Sequence, residues 1–198
     1  SGFAAVVGLA LGPWGFAATL VAIAAAWAYS VEPVRLKRSG WWGPGLVGLS
    51  YETLPWFTGA AVLSMGAPSW PVVIVALLYG IGAHGIMTLN DFKALEGDRQ
   101  MGVNSLPVTL GPERAAKFAC IIMAVPQVIV FALLFFVWDR PVHGLVIAVS
   151  LIAQAYAMQV LLRDPKGKAP WYNGVGVTLY VSGMMVTAFA VRTLEAWP

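Results

Sequence analysis

Apolar runs of about bilayer-crossing length recur along the chain, separated by short clusters of charge. Residues 3–31 carry no charge but are divided at Gly12-Pro13. The piece before the division is too short for a hydrocarbon core of ~30 Å, and residues 14–30 are just long enough. Residues 41–90 hold a single charge, Glu52, and break at Gly66-Ala67-Pro68-Ser69-Trp70-Pro71 into two spans. Three further runs cover residues 118–138, 142–162 and 169–191. The pattern predicts an all-α, polytopic transmembrane helical bundle: six complete spans and an N-terminal stub in one domain, residues 1–198. No run alternates with a period of two, which excludes a transmembrane β-barrel. The first residues are already apolar, without the basic flank of a signal peptide. The expectation is a chain that starts inside a membrane helix and lacks an N-terminal part.

Composition agrees. Hydrophobic residues make up 59% and charged residues 11%, against roughly 45–50% and about 25% in soluble proteins. Mean hydropathy is +0.76. One soluble core cannot bury that surplus, so a soluble enzyme, a nucleic-acid-binding domain and a disordered tail are excluded. The lone Cys120 cannot form an intrachain disulfide and reads as a small apolar core residue. Arg35, Lys37 and Arg38 follow the first full span; Lys93, Arg99, Arg114 and Lys117 follow the third; Arg163, Lys166 and Lys168 follow the fifth. With strict alternation these loops share one side, and they hold ten of the twelve cations. The positive-inside rule makes that side cytoplasmic, on an inner (cytoplasmic or intracytoplasmic) membrane in contact with its lipids. Trp41, Trp42, Trp70, Trp138 and Trp171 fall at span ends, as an interfacial aromatic belt requires.

The segment after the third span carries the densest chemistry: Asn90-Asp91-Phe92-Lys93-Ala94-Leu95-Glu96-Gly97-Asp98-Arg99. On a continuing helix Asp91 and Asp98 share a face roughly 10 Å apart along the axis. That is too far to chelate one ion together, but suited to bracketing a polyanion through Mg²⁺, which prefers carboxylates plus substrate phosphates. Glu96 points away from that face, within reach of Lys93, unless Gly97 breaks the helix and brings it closer. On the same side Tyr29-Ser30 leads into Arg35, Lys37 and Arg38, which with Lys93 and Arg99 suit a diphosphate; a membrane anchor or anionic-lipid contact explains the cluster equally. Glu52 lies inside a span, a costly position that marks either a functional group or an interfacial pairing. Tyr51 and Trp56 beside it offer π faces to a carbocation. His84 is seven residues before Asp91, on the same face, either lining a substrate cavity or packing with a hydrogen bond. Gly80-Ile81-Gly82-Ala83-His84-Gly85 satisfies the dinucleotide fingerprint G-x-G-x-x-G but lies inside an apolar span, where small residues serve helix packing.

Taken together, Asn90-Asp91-Phe92-Lys93, Glu96-Gly97-Asp98-Arg99 and Gly102-Val103-Asn104-Ser105-Leu106-Pro107-Val108 resemble the second aspartate-rich motif of the UbiA-type membrane prenyltransferases. Within them the likeness is to the chlorophyll and bacteriochlorophyll synthases, whose Y-S-x-x-P-x-x-L-K loop is matched by Tyr29-Ser30 with Leu36-Lys37. Gly48-Leu49-Ser50-Tyr51-Glu52, Leu54-Pro55-Trp56 and Gly82-Ala83-His84-Gly85-Ile86-Met87 resemble the bacteriochlorophyll branch. The resemblance implies nine transmembrane helices around a cavity, and Mg²⁺-dependent transfer of a prenyl group from its diphosphate to a chlorophyllide propionate. It implies Mg²⁺ held by Asp91 and Asp98 with Glu96 as third ligand or outer support, and diphosphate bound by Arg35, Lys37, Lys93, Arg99 and Asn90. Tyr51 is then the cation-facing aromatic, and Glu52, Trp56 and His84 line the cavity. No strong general base is needed, because the acceptor carboxylate is ionised at neutral pH.

The chain departs from the family pattern twice. The first aspartate-rich motif, N-D-x-x-D-x-x-x-D, is absent from these 198 residues, so the chain by itself is expected to be inactive; and Val31-Glu32-Pro33 stands where the branch has A-P-P. Two other readings remain: a UbiA-type enzyme with a different acceptor, such as a quinone precursor, or a non-catalytic membrane subunit associated with a photosynthetic complex.

Overall fold

Proline sets several helix starts. It lacks the N–H that a first turn leaves unpaired, and its fixed φ is already helical. In the computed structural model, which describes residues 1–192 and Leu194, α2 (Gly12–Ser30), α5 (Trp70–Asn90), α7 (Leu106–Thr109), α8 (Pro112–Ala132) and α9 (Pro141–Arg163) all begin this way. The other helices are α1 (Gly2–Ala10), α3 (Trp42–Gly48), α4 (Leu54–Ser64), α6 (Leu95–Met101) and α10 (Pro165–Arg192). Short 3₁₀ turns cover Leu36–Arg38 and Asp91–Ala94, and π turns cover Leu49–Thr53 and Leu133–Val137. Among the described residues the sole extended pairing is an isolated bridge between Ser39 and Asn104.

Five helical stretches are long and apolar enough to cross a membrane: Gly12–Ser30, Trp70–Met101, Pro112–Val137, Pro141–Arg163 and Pro165–Arg192. The sequence pattern predicts six. The remaining one is helical from 42 to 64 but runs as α3, a π turn and α4. Its Gly, Pro, Ser, Thr and Glu52 dilute its apolar character. Gly97 does not break the chain as it might; it sits within α6, and the helix stops at Gly102, whose φ of +66° is the left-handed cap glycine supplies.

The core lies between α5, α8, α9 and α10, around the fully buried Tyr79, Tyr172, Tyr180, Met123, Leu134 and Ile147. The glycines of the discarded fingerprint explain how α5 takes its central place. A Cβ on Gly80 would strike Thr53, one on Gly82 would strike the Tyr180 hydroxyl, and one on Gly85 would lie 2.7 Å from the Ala119 carbonyl. Three small residues thus admit the π turn, α10 and α8 on three sides of one helix.

Most of the polar groups in this core are matched within the chain, Gln127 Oε1 being left over. The Tyr79 hydroxyl donates to Thr187 Oγ1 at 2.8 Å, and Thr187 in turn donates to the Gly183 carbonyl at 2.8 Å. Tyr180 donates to the Tyr79 carbonyl at 2.8 Å. Gln127 Nε2 donates to Gln154 Oε1 at 2.7 Å, and Gln154 Nε2 to the Tyr172 hydroxyl at 3.3 Å. Each bond contributes about 0.5–1.5 kcal/mol net, and those that cross between helices specify which helix faces which.

Candidate functional site

Two loops far apart in sequence are clipped together at one end of the bundle. Gly40 N–H donates to the Asn104 carbonyl at 2.8 Å, and Asn104 N–H to the Arg38 carbonyl at 3.0 Å. The approach requires glycine: a Cβ on residue 40 would stand 2.5 Å from the Leu106 nitrogen and 2.6 Å from the Asn104 oxygen. The clip sets Lys37 and Ser39 opposite Ser105 and the start of α6.

Between them lies a polar pocket of about 110 Å³ lined by Tyr29, Lys37, Ser39, Asp91, Asp98 and Ser105. Asp91 opens the 3₁₀ turn after α5, and Asp98 lies two turns on, in α6. The α-helix does not run on unbroken between them, yet the 3₁₀ turn and α6 still bring both onto the wall of this pocket. Asp98 is only 8% exposed. Among the described residues neither carboxylate has an ion-pair or side-chain hydrogen-bond partner, and the buried Ser105 hydroxyl has none.

Alongside is an apolar cavity of about 580 Å³, walled by Ala25, Leu46, Ala83 and Ile86, with Tyr51 and Glu52 on its rim. Tyr29, Val47 and Met87 line both spaces and form the partition between them. The π turn Leu49–Thr53 carries Ser50, Tyr51 and Glu52 onto this wall; such turns often mark functional positions because they redirect side chains.

The remaining candidates are dispersed. Glu96 is exposed, 3.9 Å from Arg99 Nη1 and accepting from Gln100 Nε2 at 3.3 Å; it pairs with Arg99 rather than Lys93 and stands outside the pocket. Lys93 and Arg99 are exposed and line neither space. Arg35 is turned to Glu32, Nη1 to Oε1 at 2.7 Å. The Arg35 guanidinium holds the Glu32 carboxyl below its usual range. Glu32, standing where the branch has proline, therefore takes up one of the three loop cations. Asn90 Oδ1 accepts from Asn173 Nδ2 of α10 at 2.9 Å. Trp56 stacks on Tyr79, centroids 6.1 Å apart, on the core side. His84 Nε2 lies 2.9 Å from the Trp41 carbonyl, which can only accept, so Nε2 carries the proton. With its ring against Trp41 and Phe118, His84 packs rather than lines the cavity. Asn173 went unnoticed in the sequence: a lone amide in the sixth apolar run carries no signal of a partner on α5.

Among the described residues no cluster of three or more His, Cys, Asp and Glu is arranged around a point. A closed protein-only metal cage is thus not formed. Two unpartnered carboxylates beside an orphaned hydroxyl do fit Mg²⁺, which completes its shell with water and phosphate oxygens.

Comparison with known proteins bears directly on these spaces. Residues 1–186 match the UbiA prenyltransferase family. The chain is 70% identical over 192 residues to the bacteriochlorophyll synthase 33 kDa chain of Cereibacter sphaeroides, covering 97% of this chain and 63% of that one. To the 33 kDa chain of Rhodobacter capsulatus it is 62% identical over 190 residues, covering 94% and 62%. To the chloroplastic chlorophyll synthase of Arabidopsis thaliana it is 37% identical over 164 residues, covering 82% and 41%. The chain therefore spans just over three-fifths of the length of the two bacterial relatives. A solved structure from work on digeranylgeranylglyceryl phosphate synthase superposes with a TM-score of 0.75 at 22% identity, covering 95% of this chain and 65% of that one. The helical fold is shared with it.

Proposed function

This chain belongs to the UbiA prenyltransferase family, and from that premise we propose that the protein carrying it is a bacteriochlorophyll synthase. It joins a prenyl group, geranylgeranyl or phytyl, from its diphosphate to the propionate of bacteriochlorophyllide, with release of diphosphate. The supporting observation is the juxtaposition of two unpartnered carboxylates and Lys37 with a large apolar cavity across the Tyr29 partition.

In this reading the polar pocket takes the diphosphate and the apolar cavity takes the prenyl tail. Mg²⁺, when bound, neutralises the diphosphate and makes it a better leaving group. Asp91 and Asp98 would hold the metal on the phosphate oxygens. Lys37 Nζ and the Ser39 and Ser105 hydroxyls donate to the oxygens that gain charge. The allylic C–O bond breaks with its electron pair going to the diphosphate, and the cation develops at the partition. Tyr29, and Tyr51 on the cavity rim, offer it π faces. An oxygen of the ionised propionate attacks the same carbon and forms the ester bond. No proton moves, so neither Glu52 nor His84 acts as a base. Glu96, Arg35, Lys93 and Arg99 serve indirectly: Glu96 and Arg99 by steadying α6, Arg35 by its bond to Glu32, Lys93 by long-range attraction.

The basic loops support a cytoplasmic orientation for this end. Residues 37–44 and 91–105 share the polar pocket, and the turns at 110–114 and 163–166 share another. All three basic loops therefore gather at one end of the bundle, in the cytoplasmic or an intracytoplasmic photosynthetic membrane by the positive-inside rule.

Membranes containing the full-length protein, supplied with Mg²⁺, geranylgeranyl diphosphate and bacteriochlorophyllide, are expected to yield the ester, detected by its shifted chromatographic retention. Asp91→Ala and Asp98→Ala should each lower it by about two to three orders of magnitude. Full activity in either variant would overturn the metal assignment, and transfer to a quinone precursor but not to bacteriochlorophyllide would overturn the acceptor.

A further inference from the structure

A second cationic space lies at the same end of the bundle, and the reaction proposed above does not use it. The turn leading into α8 and the single-residue turn between α9 and α10 enclose a pocket of about 470 Å³. Arg114 comes from the first turn of α8, Arg163 from the last residue of α9, and Lys166 from the start of α10. All three are exposed, and among the described residues none has an ion-pair partner. Two acids share the rim. Asp164 is committed to its own turn, its Oδ1 accepting the Gly167 N–H at 3.1 Å. Glu113 forms no ion pair with the three cations. Three cations from three helix ends face two acids, neither of them in an ion pair among the described residues, so the pocket keeps a net positive charge that draws an anion.

We propose that this pocket binds the phosphate headgroup of an anionic phospholipid. Its depth favours a lipid over a soluble phosphate. Each helix meeting there, α8, α9 and α10, is of membrane length, so their shared end lies at headgroup level. Leu162, next to Arg163 in the chain, and Trp171, in the second turn of α10, are partly exposed, at 37% and 41%, apolar side chains at this end of the helices for acyl chains to lie against. Basic pockets between membrane helices on the positive side of a bilayer take anionic headgroups for this reason. None of the residues lining this pocket lines the diphosphate pocket, so the lipid site stands whether or not the proposed reaction does.

Native mass spectrometry of the purified full-length protein, with phosphatidylglycerol added to the detergent, tests it. A retained phosphatidylglycerol adduct is expected, and fewer adducts with phosphatidylcholine at equal concentration. The triple variant Arg114→Gln/Arg163→Gln/Lys166→Gln is expected to weaken phosphatidylglycerol binding at least about tenfold, since each cation near an anionic lipid surface is worth about fivefold. The charge-keeping variant Arg114→Lys/Arg163→Lys/Lys166→Arg should retain the adduct, and in the unmutated protein occupancy should fall as salt rises. Unchanged adducts in the triple variant, equal retention of phosphatidylcholine, or salt-independent occupancy would overturn the proposal. So would glycerol 3-phosphate displacing the lipid at equal concentration, which would make the site one for a soluble phosphate.

Discussion

The bundle core and the polar pocket treat polar groups in different ways. In the core, Gln127 donates to Gln154 and Gln154 to Tyr172, with Gln127 Oε1 left over, and Tyr79, Thr187 and Tyr180 are joined by bonds of their own. In the pocket, Asp91, Asp98 and Ser105 are packed in without partners. A buried polar group left alone costs free energy. Groups whose partners lie within the chain hold the fold together; groups left waiting in a cavity point to something bound from outside.

Substitutions can break that contrast. The largest effect is expected at the carboxylates: Asp91→Ala or Asp98→Ala should lower prenyl transfer by about two to three orders of magnitude. The midpoint of thermal unfolding should stay unchanged or rise, because an uncompensated carboxylate has been removed. A clear fall in the midpoint would mean the carboxylates hold the fold after all. Gln154→Leu is the mirror image. It strips Tyr172 and Gln127 of a buried partner and should cost about 1–3 kcal/mol of stability, while transfer per folded molecule stays near normal when assayed well below the melting range.

Gly40→Ala sharpens the comparison by disturbing the clip while leaving Lys37, Asp91, Asp98 and both serines unchanged. Its Cβ would meet backbone that cannot swing aside, an overpacking worth about 1–3 kcal/mol. We expect a raised KM for the prenyl diphosphate together with a lower unfolding midpoint; a change in neither would show that the clip does not shape the pocket. The smallest effect is expected at Glu32. Its carboxyl is held low by Arg35, so its contribution is present above the ordinary carboxylate range, about pH 4.3, and fades as pH falls through the lowered native value. Glu32→Gln should flatten that acid limb of the stability profile, measured by unfolding midpoint against pH, and leave neutral pH nearly unchanged.

The fold was legible because a membrane leaves few choices: uncharged runs of bilayer length become helices, and five of the six expected spans are helices of that kind. The sixth differs because Glu52, Pro44 and Pro55 interrupt its apolar pattern and its helix is divided into α3, a π turn and α4. The pairing of Asp91 with Asp98 was legible because seven residues is about two helical turns, and a 3₁₀ turn followed by α6 still sets both on one pocket. Glu96, Lys93 and Arg99 were grouped with them by nearness in sequence, yet a helix surface sends neighbours in different directions. His84 shows the same limit: sharing a face with Asp91 did not reveal that Trp41 would offer its carbonyl. The Asn90–Asn173 bond joins residues 83 positions apart, and no local pattern encodes such a contact.

The clip between Ser39 and Asn104 also has a meaning for how the protein is made. It joins segments on either side of α4 and α5, so it cannot form until both have been placed and α6 has followed. A nascent chain that has emerged only as far as Asn90 contains Lys37 but neither Asp98 nor the strand partner that sets Lys37 opposite it. The pocket therefore closes only once residues 37–44 and 91–105 have met, and until then the cations of the first basic loop have no carboxylate of α6 to face.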